Sequence, residues 1–397
     1  MPSETIDAAE ASGTAELLAI DAVVLPGKTK LTIDDLAAKV GVEADVVRSL
    51  WRALGFVDTD ADERSFSKHD VAILKSLVAL TEDGLVDPDI ALQVARVIGM
   101  SLANVATAVV DAGAARSVER REAAASADDG AEAADDASAL AVRAGELVPF
   151  MSEVIDYSFR RHLRAAARRR VVLASSPRGE TQVIGFADLV RFTELSLHLD
   201  DRELANLVGR FDSLVQDVVV RHDGRIVKMI GDAAMFSVVD PVQGALIALE
   251  LLEAVEHDPI LGGLRIGMAS GPILARDGDL YGPVVNTASR LAAIGRAGAV
   301  NVNQSLRDEL AGDRRFALRS LGRRNLRHIG EVRVYRLRPG PMGRHPAANP
   351  AQEPTRSGLE RWPGITRAGV RASPRLPPTL RVRGGRERRG PVLRCDS

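Results

Sequence analysis

Residues 224–239, GRIVKMIGDAAMFSVV, decide the fold. They read as an alternating run, a tight Ile-Gly-Asp turn and a second apolar run, which is the pattern of a β-hairpin. Period-two alternation assigns Ile226, Lys228, Ile230 and Asp232 to one face and Val227 and Met229 to the other. A lysine and an aspartate therefore share a face with core-forming isoleucines. An isolated Gly-Asp turn is usually only a solvated hairpin end. Two further features give this one more weight. Residues 183–195, VIGFADLVRFTEL, form an apolar strand that ends on Asp188 and opens into a helix, so two aspartates can meet at adjacent strand ends. After Lys75 the chain uses arginine everywhere except at Lys228, as expected of a position that needs a compact charge.

Composition bounds the remaining possibilities. A chain of 397 residues is too long for one ordinary domain. It is 46% hydrophobic but only 4% aromatic, so Leu, Val, Ile and Ala must fill its core. Cys395 is the sole cysteine, which excludes an internal disulfide and any cysteine-based core site. The acidic start MPSETIDAAE is unlike a signal peptide, and no uncharged run approaches about 18 residues, so a cytoplasmic protein without membrane insertion is expected. From Pro341 onward twelve arginines face four acids, leaving −10 for residues 1–340. A body that acidic is a poor general nucleic-acid binder, and no nucleic-acid partner is expected.

Along the chain, residues 1–20 read as a disordered N-terminus and 21–113 as a helical regulatory domain. Within it, residues 31–54 show a helix-turn-helix pattern hinged at Gly41, with Ile33, Leu36, Val47 and Leu50 facing inward. This part is similar to the small helical domains of MerR-type regulators. Its second helix carries Arg48 and Arg52 beside Glu43 and Asp45, a weak basis for reading DNA. Residues 114–145 form an Ala-rich acidic linker or loosely packed helix, and 146–172 a connecting helix that starts after Pro149. Residues 173–340 carry the regular alternation. Strands are expected at 182–187, 225–239 (the hairpin), 264–270, 300–303 and 332–338. Helices are expected at 202–221, 241–255, 285–294 and from Ser305, with a glycine-rich loop running to Tyr281. This is an α+β, ferredoxin-like βαββαβ arrangement with helices on one face of a mixed sheet, preceded by an all-α domain. Residues 341–397, with nine prolines, read as a disordered Arg/Pro-rich tail.

GFADLVRFT, GRIVKMIGDAAM, GDLYGPVVNTASRL and LRHIGEVRVYRL stand in the order and spacing of the class III nucleotide cyclases, which the chain resembles over about 160 residues. The N-terminal part is similar to the regulatory domain of soluble actinobacterial adenylate cyclases. The resemblance implies cyclisation of ATP at two divalent cations, Mg2+ or Mn2+, in a homodimer whose sites are shared between subunits. Oxygen ligands suit such ions, and Asp188 and Asp232 would supply them. Backbone amides of Leu189, Val190, Arg191, Phe192 and Thr193 would hold the phosphates at a helix start. Lys228 and Asp279 match the positions that read adenine, and Asn286 and Arg290, at i and i+4, those that orient the ribose and stabilise charge on the α-phosphate. Arg327 stands where the family commonly has a phosphate-binding lysine, followed by His328 in place of glycine. His69 and His162 are candidate sources of pH dependence. Competing readings are a DNA-binding regulator with a silent nucleotide-sensing domain, and a guanylate cyclase.

Overall fold

The computed structural model describes residues 24–342 apart from 26, 85, 126–135 and 176–180. The segment read as an N-terminal tail, 1–20, the middle of the linker and all but the first two residues of the segment 341–397 lie outside the described residues. The helical part opens with α1 (Ile33–Val40) and α2 (Ala44–Ala53). A reciprocal capping box between Thr32 and Asp35 starts α1, and Gly41 ends it with φ of 93°. The following α3 (Lys68–Glu82) starts on a second capping box, Ser67 with Asp70. Ile33, Leu36, Ala37, Val47, Phe66 and Leu74 form their small core, with Trp51 packed edge-on to Phe66 at 4.9 Å.

Two long helices follow, α4 (Pro88–Ala125) and α5 (Asp136–Ser175). Both run into the segment read as linker, and α5 holds Pro149 inside it rather than starting there. A proline removes one backbone hydrogen bond and kinks a helix without ending it when the flanking turns persist. Ile90, Val94, Ile98, Met100, Leu102 and Val105 on α4 are exposed, as are Phe150, Val154, Tyr157, Phe159 and Leu163 on α5. Among the described residues Pro88–Gly113 is the one helix long and apolar enough, by length and composition, to cross a membrane. The sequence reading missed it by requiring an uncharged run, which Arg96 breaks.

The alternating region is a seven-stranded mixed sheet in the order β2-β3-β1-β4-β7-β9-β8. Its strands are β1 (Thr181–Leu189), β2 (Arg225–Ile230), β3 (Ala233–Val238), β4 (Leu264–Pro272), β7 (Ala299–Val302), β8 (Phe316–Leu326) and β9 (Gly330–Pro339). A two-stranded ribbon, β5 (Leu274–Arg276) and β6 (Asp279–Tyr281), occupies the stretch expected to be a loop. The first four strands lie antiparallel as 2-3-1-4, the order that βαββαβ connectivity produces. The helices are α6 (Phe192–Ser196), α7 (Asp201–Arg221), α8 (Pro241–Glu256), α9 (Pro283–Ala293) and α10 (Gln304–Glu309).

Helices cover both faces of the sheet, not one. Phe211, Val215 and Val218 of α7 and Ile247, Ala248 and Leu251 of α8 pack with Val183, Ala187, Phe236, Ile266 and Met268. On the opposite face Val284, Ala288, Leu291 and Ala292 of α9 pack with Ile184, Phe186, Met235 and Ala269. The apolar runs of β1, β3 and β4 reflect burial on both sides, as strands covered by helices require. The arginine-rich β8 went unread because an edge strand carries charge on its free side and shows little alternation.

The hairpin corrects a second expectation. A bulge at Val227 shifts the register, pairing Ile226 with Phe236 and Lys228 with Met235. Ile226 and Met229 pack with the α7–α8 core, whereas Val227 joins the α9 core on the face of Lys228. One extra residue inverts the alternation beyond it, so Ile226 and Lys228 do not share a face.

Candidate active site

Asp188, next to the last residue of β1, stands across from Ala233 of β3 and Arg265 of β4. The Leu189 amide donates to the Asp232 carbonyl at 3.0 Å, fastening the Gly231–Asp232 turn to the end of β1. Gly231 makes that turn with φ of 60°. Asp188 and Asp232 thus meet at adjacent strand ends. Burial pushes the Asp188 pKa up, the Arg265 guanidinium opposes this, and the charge of Asp232 adds to the rise. Arg265 donates to Asp188 Oδ2 through Nε at 2.8 Å and lies 2.7 Å away through Nη2. Nothing in the sequence reading pointed to Arg265, although its register opposite Asp188 follows from the strand order.

Two carboxylates and a cation already bonded to one of them fit a divalent metal site. Among the described residues no group of three or more His, Cys, Asp or Glu side chains could hold a metal ion. The remaining ligands would be water and phosphate oxygens, the usual complement of magnesium held by one or two carboxylates.

Of the five backbone amides expected to hold phosphates, two are already engaged within the fold. Leu189 belongs to β1 and donates to Asp232, while the Val190 amide donates to the Gly263 carbonyl at 2.9 Å. Neither is available to a ligand. Arg191, with φ of 69°, begins the five-residue α6, whose first-turn amides at Phe192 and Thr193 have no partners within the helix. The Arg191 side chain pairs with Glu194 at 2.8 Å.

Lys228 Nζ donates to Asp279 Oδ2 at 2.5 Å, joining β2 to the start of β6. Burial pushes Asp279 up, but the Lys228 hydrogen bond, the Leu280 amide at 2.8 Å, the Lys228 charge and Tyr281 together hold it below the usual carboxylate range. Arg225, three residues before Lys228, donates through Nη1 to the Gly278 carbonyl at 3.0 Å and so anchors the loop carrying Asp279. Burial lowers the Arg225 pKa, Arg169 of α5 lowers it further and Asp279 opposes both. The end of the connecting helix is therefore within electrostatic reach of Arg225, which anchors the loop carrying Asp279.

Asn286 and Arg290 are exposed and lie on the side of α9 opposite the Val284, Ala288, Leu291 and Ala292 stripe that packs on the sheet. They point away from the sheet that carries Asp188. Neither side chain has a hydrogen-bond or ion-pair partner among the described residues. Arg327 and His328 form the β8–β9 turn; His328 takes φ of 65°, the conformation a glycine would adopt there, so the backbone path survives the substitution. Arg327 Nε donates to His328 Nε2 at 3.0 Å. In the N-terminal domain Arg52 pairs with Asp58 at 2.6 Å, which neutralises one of the two arginines of α2.

Residues 175–339 match the family described as the adenylate and guanylate cyclase catalytic domain, and residues 2–166 match the adenylate cyclase regulatory domain. The catalytic region belongs to the class III nucleotide cyclases. An adenylate cyclase of Streptomyces coelicolor is 31% identical over 311 residues, covering 78% of this chain and 79% of that one. A pH-sensitive adenylate cyclase of Mycobacterium tuberculosis is 30% identical over 349 residues, 85% of each chain. The chain as a whole is therefore an enzyme of the adenylate cyclase family, of the actinobacterial kind in which a regulatory domain precedes the catalytic one. Among solved structures, the catalytic core of a rhodopsin-guanylyl cyclase with converted specificity, in complex with ATPαS, is 24% identical, covers 41% of this chain and 97% of that chain, and has a TM-score of 0.38.

Proposed function

We propose that the protein converts ATP into 3',5'-cyclic AMP and pyrophosphate at two equivalent sites shared across the two-fold axis of a homodimer. The Lys228–Asp279 pair carries this proposal. Adenine presents an acceptor at N1 and a donor at N6, which an ammonium and a carboxylate complement. Guanine reverses both, leaving buried polar groups unpaired, a mismatch that hydrogen-bonding sites reject strongly.

Asp188 and Asp232 would hold two divalent cations, Mg2+ or Mn2+, which when bound favour ionisation of the 3'-hydroxyl and neutralise the leaving pyrophosphate. Arg265, which bonds Asp188, would be available to pair with phosphate if that carboxylate held a metal. The amides at Phe192 and Thr193, and Arg327, would bind the phosphate tail. Asn286 orients the ribose and Arg290 stabilises negative charge on the α-phosphate. Because both project away from their own sheet, they would serve the aspartates of a second copy. The exposed apolar faces of α4 and α5 are surface that such a dimer would cover, and in this proposal the enzyme works in the cytoplasm.

Regulation would pass down α5, whose Arg169 acts on Arg225 and hence on the loop bearing Asp279. A DNA-binding regulator with a silent cyclase-like domain is the less favoured reading: it leaves the Lys228–Asp279 pair and the paired aspartates without a role. The test is purified full-length protein with ATP or GTP and Mn2+ or Mg2+. Metal-dependent cyclic AMP formation with a clear preference for ATP is expected. No cyclic product from either nucleotide would refute the proposal.

A further inference from the structure

A cavity of about 510 Å³ opens between the C-terminal end of α9 and strands β7, β8 and β9. Its lining is Ile294, Arg296, Asn301, Leu321, Arg324, Asn325 and Arg336. Three of these seven side chains are cationic and none is acidic. The one acid on β9, Glu331, is engaged by Arg323 at 2.8 Å. Arg296 and Arg324 have no hydrogen-bond or ion-pair partner among the described residues.

One of the three is fixed from within. Asn301 is only 1% exposed; its amide donates to the Leu291 carbonyl at 2.9 Å and its oxygen accepts from Arg336 Nε at 3.1 Å. That bond orients the Arg336 guanidinium and leaves its other donors unused. Burial lowers the Arg336 pKa, and the charges of Arg338 and Arg296 lower it further, so like charges are gathered here without compensation. An anion in place would relieve this repulsion, and arginine forks match phosphate oxygens two at a time.

The cavity adjoins the Asp188–Arg265 pair. A Cβ built on Gly295 would stand 3.4 Å from both Arg265 Cβ and Asn301 Nδ2, so one small residue separates the two. We propose that Arg296, Arg324 and Arg336 form a phosphate-class anion pocket beside the catalytic aspartates, which takes up the pyrophosphate released in the reaction. The identity of the anion as pyrophosphate rests on the proposed cyclisation; the existence of the pocket does not.

The test uses full-length protein in EDTA, which silences metal-dependent binding at the aspartates. Inorganic pyrophosphate and inorganic phosphate are titrated calorimetrically into the wild type and into the Arg296→Ala/Arg324→Ala double variant. Both altered residues are exposed, so the fold should persist, and an unchanged thermal melt checks this. Expected is pyrophosphate binding in the wild type that weakens about tenfold or more in the variant, with phosphate binding more weakly. Equal affinity in variant and wild type, or no pyrophosphate binding in the wild type, overturns the pocket. Phosphate binding as tightly as pyrophosphate overturns the assignment to the reaction product and marks a general phosphate site. Failure of ATP cyclisation would leave these titrations readable, so the two proposals fall separately.

Discussion

Replacing Gly267 by alanine tests how closely α9 is set on the sheet. Gly267 lies in β4 beneath α9, and an added Cβ would come within 2.0 Å of the Ala292 nitrogen and 2.3 Å of the Ala288 carbonyl oxygen. Both are backbone atoms, so no rotamer change relieves the contact. Ordinary contact begins near 3.4 Å, which requires α9 to rise by about 1.4 Å. Overpacking of this kind costs about 1–3 kcal/mol. For a domain of this size that lowers Tm by about 2–12 °C. Asn286 and Arg290, the proposed ribose and α-phosphate groups, ride on the same helix, and displacing positioning groups by about 1 Å costs about 100-fold in rate. Initial rates of cyclic AMP formation over a range of ATP concentrations, with a thermal melt of the same sample, measure both effects. The expected result is a fall in kcat far larger than the loss of folded protein explains. A variant with wild-type kcat and Tm would refute the close packing, and a lowered Tm with wild-type kcat would remove α9 from the reaction.

Lys228→Ala should lower the ATP to GTP preference as well as the rate, measured as the ratio of kcat/KM values; an unchanged ratio would make Lys228 a surface residue only. The same variant should alter pH dependence. Asp279 is held below the ordinary range, so its contribution to stability is present above the ordinary carboxylate pKa and is lost as pH falls through the lowered one. Without Lys228 the folded and unfolded pKa values of Asp279 draw together, so this acid-dependent loss should shrink in denaturation curves, and identical curves would contradict the ion pair. Chains carrying Asp188→Ala and Lys228→Ala, each inactive alone, should recover about a quarter of wild-type activity per total protein on mixing. No recovery, with heterodimers confirmed by two-tag pull-down, would place the whole site in one chain.

Much of the architecture was legible because its signals are local. The two apolar runs around Gly231, the strand ending on Asp188 and the i, i+4 spacing of Asn286 and Arg290 each follow from a short window of sequence. What escaped depends on partners remote in the chain. The bulge at Val227 is invisible in the alternation because a bulged strand keeps its composition while changing its register. Arg265 looks like any polar residue in LRIGM until the strand order sets it opposite Asp188, 77 residues away. The amides of Leu189 and Val190 looked free for phosphate because their acceptors, Asp232 and Gly263, are brought in by other strands. Arg225 and the arginine-lined cavity were missed for the same reason.

The Arg265–Asp188 bond has a consequence for the life of the protein between turnovers. A carboxylate pair left bare would repel itself, and many metal sites lose their shape when the ion departs. In the proposed metal site the Arg265 guanidinium would serve as a placeholder cation, holding the strand ends at their spacing when no ion is bound. Chelation should therefore stop turnover without unfolding the domain. An enzyme built in this way would wait for its ions without having to refold around them.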